Sequence, residues 1–308
     1  MNQLTIIMYH YVRPIKDSPY PKIKGIELEG FRRQLDFLAI EHTFITAEQL
    51  VGFSHGQNDL PKNACYLTFD DGYKDHIQYV MPELLKRNIQ GSFFPPVNAV
   101  TKREMLDVNA IHFILESTHD YQALAIDLDH MCKEYGHTEF ELDQMKNKWA
   151  KSSRYDSSEV MYIKHMLQHA LPKNIRSEIV DRLFQKNSRK SKIDFSEELY
   201  MSTEEVKKLV QNDMYVGSHG CGHVWLGKES KQSQLAEINS SLVFLEKVGA
   251  SHKNWIMCYP FGDYNDDTLE ILKSRQCSIG LTTQPGFANI NNGKFLELSR
   301  FDTNDFPQ

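Results

Sequence analysis

The feature that most constrains this chain is an alternation running along both of its ends. Short apolar runs bounded by turn residues are separated by stretches of helical periodicity. The runs predict strands at Thr5–Tyr9, Ala64–Phe69, Gly91–Phe94, Met214–Gly217, Trp255–Tyr259, Ser278–Thr282 and Phe295–Ser299. A run that is apolar throughout, without polar alternation, fits a strand buried on both faces, as in a parallel sheet covered by helices. Between the runs, Phe31, Leu35 and Leu38 share one helical face. Leu235, Ile238, Leu242 and Leu245 form a stripe on a helix expected over Glu229–Val248. Thr46 with Gln49, and Ser202 with Glu205, have the spacing of capping boxes. Strands and helices in alternation predict an α/β fold on a parallel sheet or barrel.

The middle of the chain breaks the alternation. Between Gly91 and Gly217 the sole glycine is Gly136, and Pro172 is the one proline after Pro96. The charged stretch from about Lys102 to Lys190 has helical periodicity at Ile111/Leu115, Met161/His165/Leu167 and Ile179/Leu183. It predicts a helical insertion, at about 102–190, into a single domain spanning 1–308. Long insertions beside a barrel face commonly shape access to it, so a covering role is expected.

Composition removes several classes of function. With 308 residues, 41% of them hydrophobic and 25% charged, the chain can bury a sizeable core. A net charge of 35 − 41 = −6 gives no general pull on nucleic acid or on an anionic membrane. No apolar run approaches a membrane span, so stable membrane insertion is not expected. Five cysteines, an odd number without a C-x-x-C, argue against a disulfide framework. The first ten residues lack a basic region and read as a strand, not a signal peptide, which leaves the cytoplasm as the expected location.

Four segments carry residues suited to chemistry, and each ends a predicted strand. Tyr66-Leu-Thr-Phe-Asp70-Asp71-Gly72 runs an apolar strand into two acids. Strand C-termini open onto the site face of parallel α/β folds, where one carboxylate can bind a metal while the other moves a proton. Capping the next helix is the plainer reading, as for Asp266-Asp267. Val216-Gly-Ser-His219-Gly-Cys221-Gly-His223 offers two imidazoles four apart, able to share a metal if the backbone curls. Thirteen histidines give about 0.5 such pairs by chance. A second pair, His165/His169, lies inside an amphipathic stretch and reads as structural. Cys221 reads as a small packed side chain, with a third ligand as the alternative. Tyr259-Pro260-Phe261-Gly262 is a turn whose N–H groups are placed to donate to an oxyanion, or a plain strand–helix junction. His10 closes the first strand. Two imidazoles with one carboxylate make an open three-ligand metal site, and a spare carboxylate and imidazole make a base–acid pair.

These segments resemble the NodB-homology polysaccharide deacetylases, also called carbohydrate esterase family four. Thr68-Phe-Asp-Asp-Gly72 is similar to the family's first motif, His219-x3-His223 to its second, and Tyr259-Pro-Phe-Gly262 to a variant of its third. The resemblance implies a distorted (β/α) barrel with a helical insertion, and a divalent metal, usually zinc. It implies Asp70 as general base, Asp71, His219 and His223 as metal ligands, and hydrolysis of an N- or O-acyl group on a sugar. Two departures stand out. Cys258 lies near where the family often has an arginine, so something else must orient the base. The family's C-terminal leucine-x-histidine, source of the general acid, is replaced by Leu298-Ser-Arg300. Some circularly permuted members carry that histidine on an N-terminal strand, an arrangement that Ile6-Ile-Met-Tyr-His10 resembles, which implies His10 as the acid. The tail Leu298–Asp305 resembles a segment of deacetylase-like proteins in surface-glycan biosynthesis.

The expected reaction is therefore metal-dependent hydrolysis of an N-acetyl or N-formyl amino sugar, with Tyr259, Pro260 and Phe261 at the oxyanion. The expected substrate is small and nucleotide-linked or lipid-linked. Two rivals stand beside it: hydrolysis of a cyclic amide or imide on the same fold, and a catalytically silent glycan-binding module.

Overall fold

The computed structural model describes residues 3–153, 156–188 and 190–308. The chain divides into two compact units. One comprises the chain through Ile15, Gly25–Glu104 and Ser196–Gln308; the other comprises Lys16–Lys24 and Met105–Phe195.

Among its described residues the first unit holds ten strands: β1 Leu4–Tyr9, β2 Val12–Arg13, β3 Ile26–Glu27, β4 Thr43–Phe44, β5 Ala64–Asp70, β6 Ser92–Phe94, β7 Tyr215–Val216, β8 Trp255–Cys258, β9 Cys277–Leu281 and β10 Phe301–Asp302. The main sheet has the order β10-β1-β5-β6-β7, with β4 against β5, while β8 pairs β9 and β2 pairs β3. Every one of these pairings is parallel. Single parallel bridges, Ser218 to Met257 and Leu281 to Leu298, carry the ring from β7 to β8 and from β9 back toward β10. The result is a distorted parallel barrel. All residues of β1, β5 and β8 are buried, which is why their sequences show no alternation.

The strand predicted at Phe295–Ser299 does not form. That segment is a turn, with Glu297 N–H donating to Lys294 O, and touches β9 through the Leu298 bridge. It arches so close over Gly280 that a Cβ there would lie 2.2 Å from Leu296 O. The strand beside β1 is instead the two-residue β10. The two-residue strands β2, β3 and β4 were not anticipated either, being too short to show a period, whereas β7 falls within the predicted Met214–Gly217.

Register positions the chemistry. β1 and β5 pair from Leu4↔Ala64 to Tyr9↔Phe69, so His10 and Asp70 leave the sheet at one level. β1 lies between β5 and β10. Stacked rings of Tyr9 and Phe69 (5.0 Å) and of Phe69 and Phe93 (4.9 Å) tie these strands together. Phe31, Leu35 and Leu38 of the Leu28–Glu41 helix are buried in the same core. Both expected capping boxes form, Thr46 with Gln49 and Ser202 with Glu205. The Lys231–Val248 helix begins on a Ser230 cap and ends at Gly249, whose φ of 82° closes it in the left-handed region.

In the second unit the described residues contain no strand. Its helices are Asp107–Ser117, Tyr121–Glu134, Glu139–Trp149, Ser158–His165 and Lys173–Asn187, with a π turn at Met166–Ala170 and the first half of the Lys192–Leu199 helix. Ile111, Leu115, Ile179 and Leu183 are buried, and Phe113 meets Tyr20 and Phe195 ring to ring at 4.8 and 4.4 Å. Among the described residues of the chain, no helix is long and apolar enough to cross a membrane.

Candidate active site

At the end of β5 the backbone reverses sharply. Asp71 and Gly72 both take left-handed conformations, φ 71° and 68°. Aspartate tolerates this, and glycine is required at 72, where a Cβ would lie 2.7 Å from that of Pro95. The reversal explains how two consecutive carboxylates, both buried, serve one site.

His219 follows β7 through Gly217, where a Cβ would sit 2.5 Å from Phe94 and 2.8 Å from Ile256 O. Its Nδ1–H donates to Cys258 O at 2.7 Å, which leaves the Nε2 lone pair for a ligand. That Nε2 lies 3.4 Å from Asp71 Oδ1, and His223 Nε2 lies 3.3 Å from the same oxygen. The ligand atoms of Asp71, His219 and His223 all fall within 4.8 Å of one another. Tyr73 donates its hydroxyl to the other oxygen, Asp71 Oδ2, at 2.5 Å, turning Oδ1 toward the imidazoles. Two imidazole nitrogens and a carboxylate oxygen suit a divalent first-row cation and match the donor set of an open zinc site. Burial pushes the His223 pKa below its ordinary value despite the Asp71 contact, favouring the neutral form that a ligand needs. Burial opposes the charge of Asp71, but the adjacent imidazoles of His219 and His223 more than offset it and hold its pKa well below the carboxylate range.

Asp70 is held differently. Arg300, fully buried just before β10, sets Nη1 at 3.0 Å from Oδ1 and Nη2 at 2.8 Å from Oδ2, a bidentate pair. The guanidinium is itself fixed by Thr282 O (2.8 Å) and Thr68 Oγ1 (3.1 Å). The Cys258 thiol donates to Oδ2 at 3.3 Å. Burial would raise the Asp70 pKa, but Arg300, then His219 and His10, outweigh it and lower it to about 2. The sequence reading left the orienting group open and gave Arg300 no role. Its one signal was its place in Leu298-Ser-Arg300, where the resemblance puts the family's leucine-x-histidine. Arg300→Met should cost about 3–5 kcal/mol in denaturant unfolding, because it leaves a buried carboxylate unpaired. A loss below about 1 kcal/mol would show that Asp70 finds another partner.

His10, half-buried, accepts a hydrogen bond on its carbonyl from His76 Nε2 at 3.0 Å. Its imidazole lies within electrostatic reach of Asp70, Asp71 and His223. In the third segment, both donors of Tyr259 are engaged, N–H to Leu281 O (3.1 Å) and hydroxyl to Leu296 O (2.7 Å). Tyr259 therefore anchors the turn and has no donor to give an oxyanion; Pro260, lacking an N–H, has none either. Phe261 has φ 59°, an outlier for so large a residue, of the kind that clusters at functional sites. The turn's own bonds use the N–H groups of Gly262 and Asp263 and leave that of Phe261 outside them. The Phe261 ring meets His223 edge-on at 4.6 Å and stacks on Trp225 at 4.3 Å.

The remaining candidates have structural accounts. His165 Nδ1 and His169 Nε2 lie 3.2 Å apart, and His165 stacks on Trp149 at 4.4 Å. The Cys221 thiol donates to Asn98 Oδ1 at 3.3 Å. Asp266 and Asp267 occupy the first turn of a helix capped by Asn265.

A parallel α/β barrel with two imidazoles and a carboxylate converging at one strand-end face defines a candidate metallohydrolase. The polysaccharide deacetylase family profile matches residues 170–279, which include His219, His223 and the Tyr259–Gly262 turn but not Asp70-Asp71. YxkH of Bacillus subtilis (strain 168), assigned to the polysaccharide deacetylases, is 27% identical over 96 residues. That stretch is 31% of this chain and only 34% of YxkH, about a third of its length. In fold, the chain is similar to the Streptococcus pyogenes deacetylase PplD, with a TM-score of 0.59 and 18% identity over 97% of this chain and 92% of that one. It is also similar to a de-N-acetylase from Aggregatibacter actinomycetemcomitans, with a TM-score of 0.54 and 14% identity over 98% and 96%. Residues 170–279 are thus similar in sequence to the polysaccharide deacetylases, and the chain has the (β/α)-barrel-like fold of the solved deacetylases.

Proposed function

We propose that this protein is a zinc-dependent hydrolase that removes an N-acetyl or N-formyl group from an amino sugar. The observation that carries the reading is the convergence of Asp71, His219 and His223 beside an Asp70 gripped by Arg300. The shared fold is consistent with it, since the Aggregatibacter protein of similar fold is a de-N-acetylase. When bound by Asp71, His219 and His223, a zinc ion would supply Lewis acidity to the acyl carbonyl and lower the pKa of a water toward about 7. Asp70, ionised at neutral pH, accepts the proton of the attacking water, and Arg300 fixes the direction from which it does so. Phe261 N–H donates to the developing oxyanion. His10 protonates the leaving amine, which is otherwise a very poor leaving group. A small nucleotide-linked or lipid-linked sugar of surface-glycan biosynthesis is the substrate class proposed, on the resemblance of the Leu298–Asp305 tail.

The test is amine release from a panel of N-acetyl and N-formyl amino sugars, with cyclic imides alongside, after chelation and again with zinc restored. The expected result is release from an amino sugar in the presence of zinc alone. Turnover confined to imides would transfer the site to the rival hydrolase, and sugar binding without release would make it a binding module. The Tyr73 hydroxyl gives a narrower check. Tyr73→Phe should weaken zinc binding by about 10–100-fold in calorimetric titration, the usual effect of losing a group that orients a ligand. Unchanged affinity would show that Asp71 is oriented without it.

A further inference from the structure

We infer that Glu237, fourteen residues beyond His223 in sequence, holds the metal loop in shape and thereby sets the affinity of the centre; the inference rests on the metal reading above. His219 and His223 lie on one loop, whereas Asp71 lies in the turn after β5, so the 3.4 and 3.3 Å approaches to Asp71 Oδ1 depend on the loop's shape. The loop contains two left-handed residues, Gly220 (φ 72°) and His223 (φ 50°), and has no repeating bonds of its own to stabilise it. Gly220 N–H donates within the segment, to Ser218 Oγ at 3.2 Å, and four further backbone groups are satisfied from outside. Val97 N–H donates to Gly220 O at 3.3 Å and Asn98 N–H to Cys221 O at 2.9 Å. The N–H groups of Cys221 and Gly222 both donate to a single oxygen, Glu237 Oε2, at 2.8 Å each.

Glu237 lies in the Lys231–Val248 helix. One turn further on, Ser241 Oγ accepts from Ser218 Oγ at 2.7 Å. Residues four apart share a helix face, so this one face holds the loop at both ends. The arrangement also accounts for the second glycine of His-Gly-Cys-Gly-His. A Cβ at Gly222 would lie 3.2 Å from Glu237 Oε1, tighter than an ordinary contact. Glu237 is not within the ligand set. It is a positioning residue that works through two backbone hydrogen bonds.

The test is calorimetric titration of zinc into the chelator-treated full chain, comparing the wild type with Glu237→Ala, Glu237→Gln, Gly222→Ala and His223→Ala. Circular dichroism of each metal-free protein accompanies it. Glu237→Ala should bind zinc about 10–100-fold more weakly. Glu237→Gln, whose amide oxygen can accept the same two N–H groups, should recover most of that loss. Gly222→Ala, which presses a methyl against the carboxylate, should weaken binding in the same direction and keeps the test informative should Glu237→Ala not fold. Wild-type affinity in Glu237→Ala, or a glutamine variant as weak as the alanine one, would overturn the inference while leaving the metal reading intact. A wild type that binds no zinc, or a His223→Ala variant that binds it undiminished, would overturn the metal reading and the inference with it.

Discussion

Asp70→Asn should leave zinc bound and lower turnover by about 10²–10⁴-fold, the usual worth of a general base. The substitution keeps the shape of the side chain and removes its ability to take a proton. Asp71, the imidazoles of His219 and His223, and the Tyr73 hydroxyl that orients Asp71 are untouched. The variant also leaves Arg300 facing a neutral amide inside the protein, so it will be less stable, by up to about 3–5 kcal/mol. Turnover must therefore be measured well below the unfolding transition, with metal content determined on the same sample. Metal retained with turnover lost is the expected pair of results. Near-normal turnover would reduce Asp70 to a structural partner of Arg300.

His10→Ala should reduce amide hydrolysis by about 10²-fold or more and spare an activated ester. The difference lies in the leaving group: an amine must be protonated as it departs, whereas an activated phenolate need not be. The placement of His10 motivates the prediction. It follows β1 level with Asp70, on a strand set between β5 and β10, and lies within electrostatic reach of both aspartates and of His223. Equal losses on both substrates would point to a structural role, consistent with the hydrogen bond its carbonyl accepts from His76.

Much of the fold was legible because its strands are buried on both faces. Such strands write themselves as continuous apolar runs, and a reader needs no pairing information to see Ala64–Phe69 or Trp255–Tyr259. The convergence of Asp71 with His219 and His223 was legible for a related reason: in a parallel barrel, residues that follow strand ends share one face, however far apart they lie in sequence. What was not legible depended on irregular, long-range contacts. The last strand was expected at Phe295–Ser299, but that segment is pulled into an arch by the Tyr259 hydroxyl and by Gly280. The shift to Phe301–Asp302 is what brings Arg300 to Asp70 across 230 positions. No periodicity marks Arg300, because its role comes from a partner on another strand. Tyr259 was read as part of the oxyanion site, since nothing local shows that both its donors are spent. Glu237 sits in a helix where a glutamate is unremarked, and only the glycines of the loop it supports hinted at a neighbour needing room.

The account turns on whether a divalent ion is held by Asp71, His219 and His223. Metal content of the purified protein, measured by plasma mass spectrometry after zinc loading and gel filtration, decides it. One ion per chain is predicted for the wild type and for His165→Ala, and essentially none for His219→Ala and His223→Ala, both still folded by circular dichroism. Stoichiometric zinc retained in both of the latter variants would contradict the assignment of the site and the chemistry proposed for it.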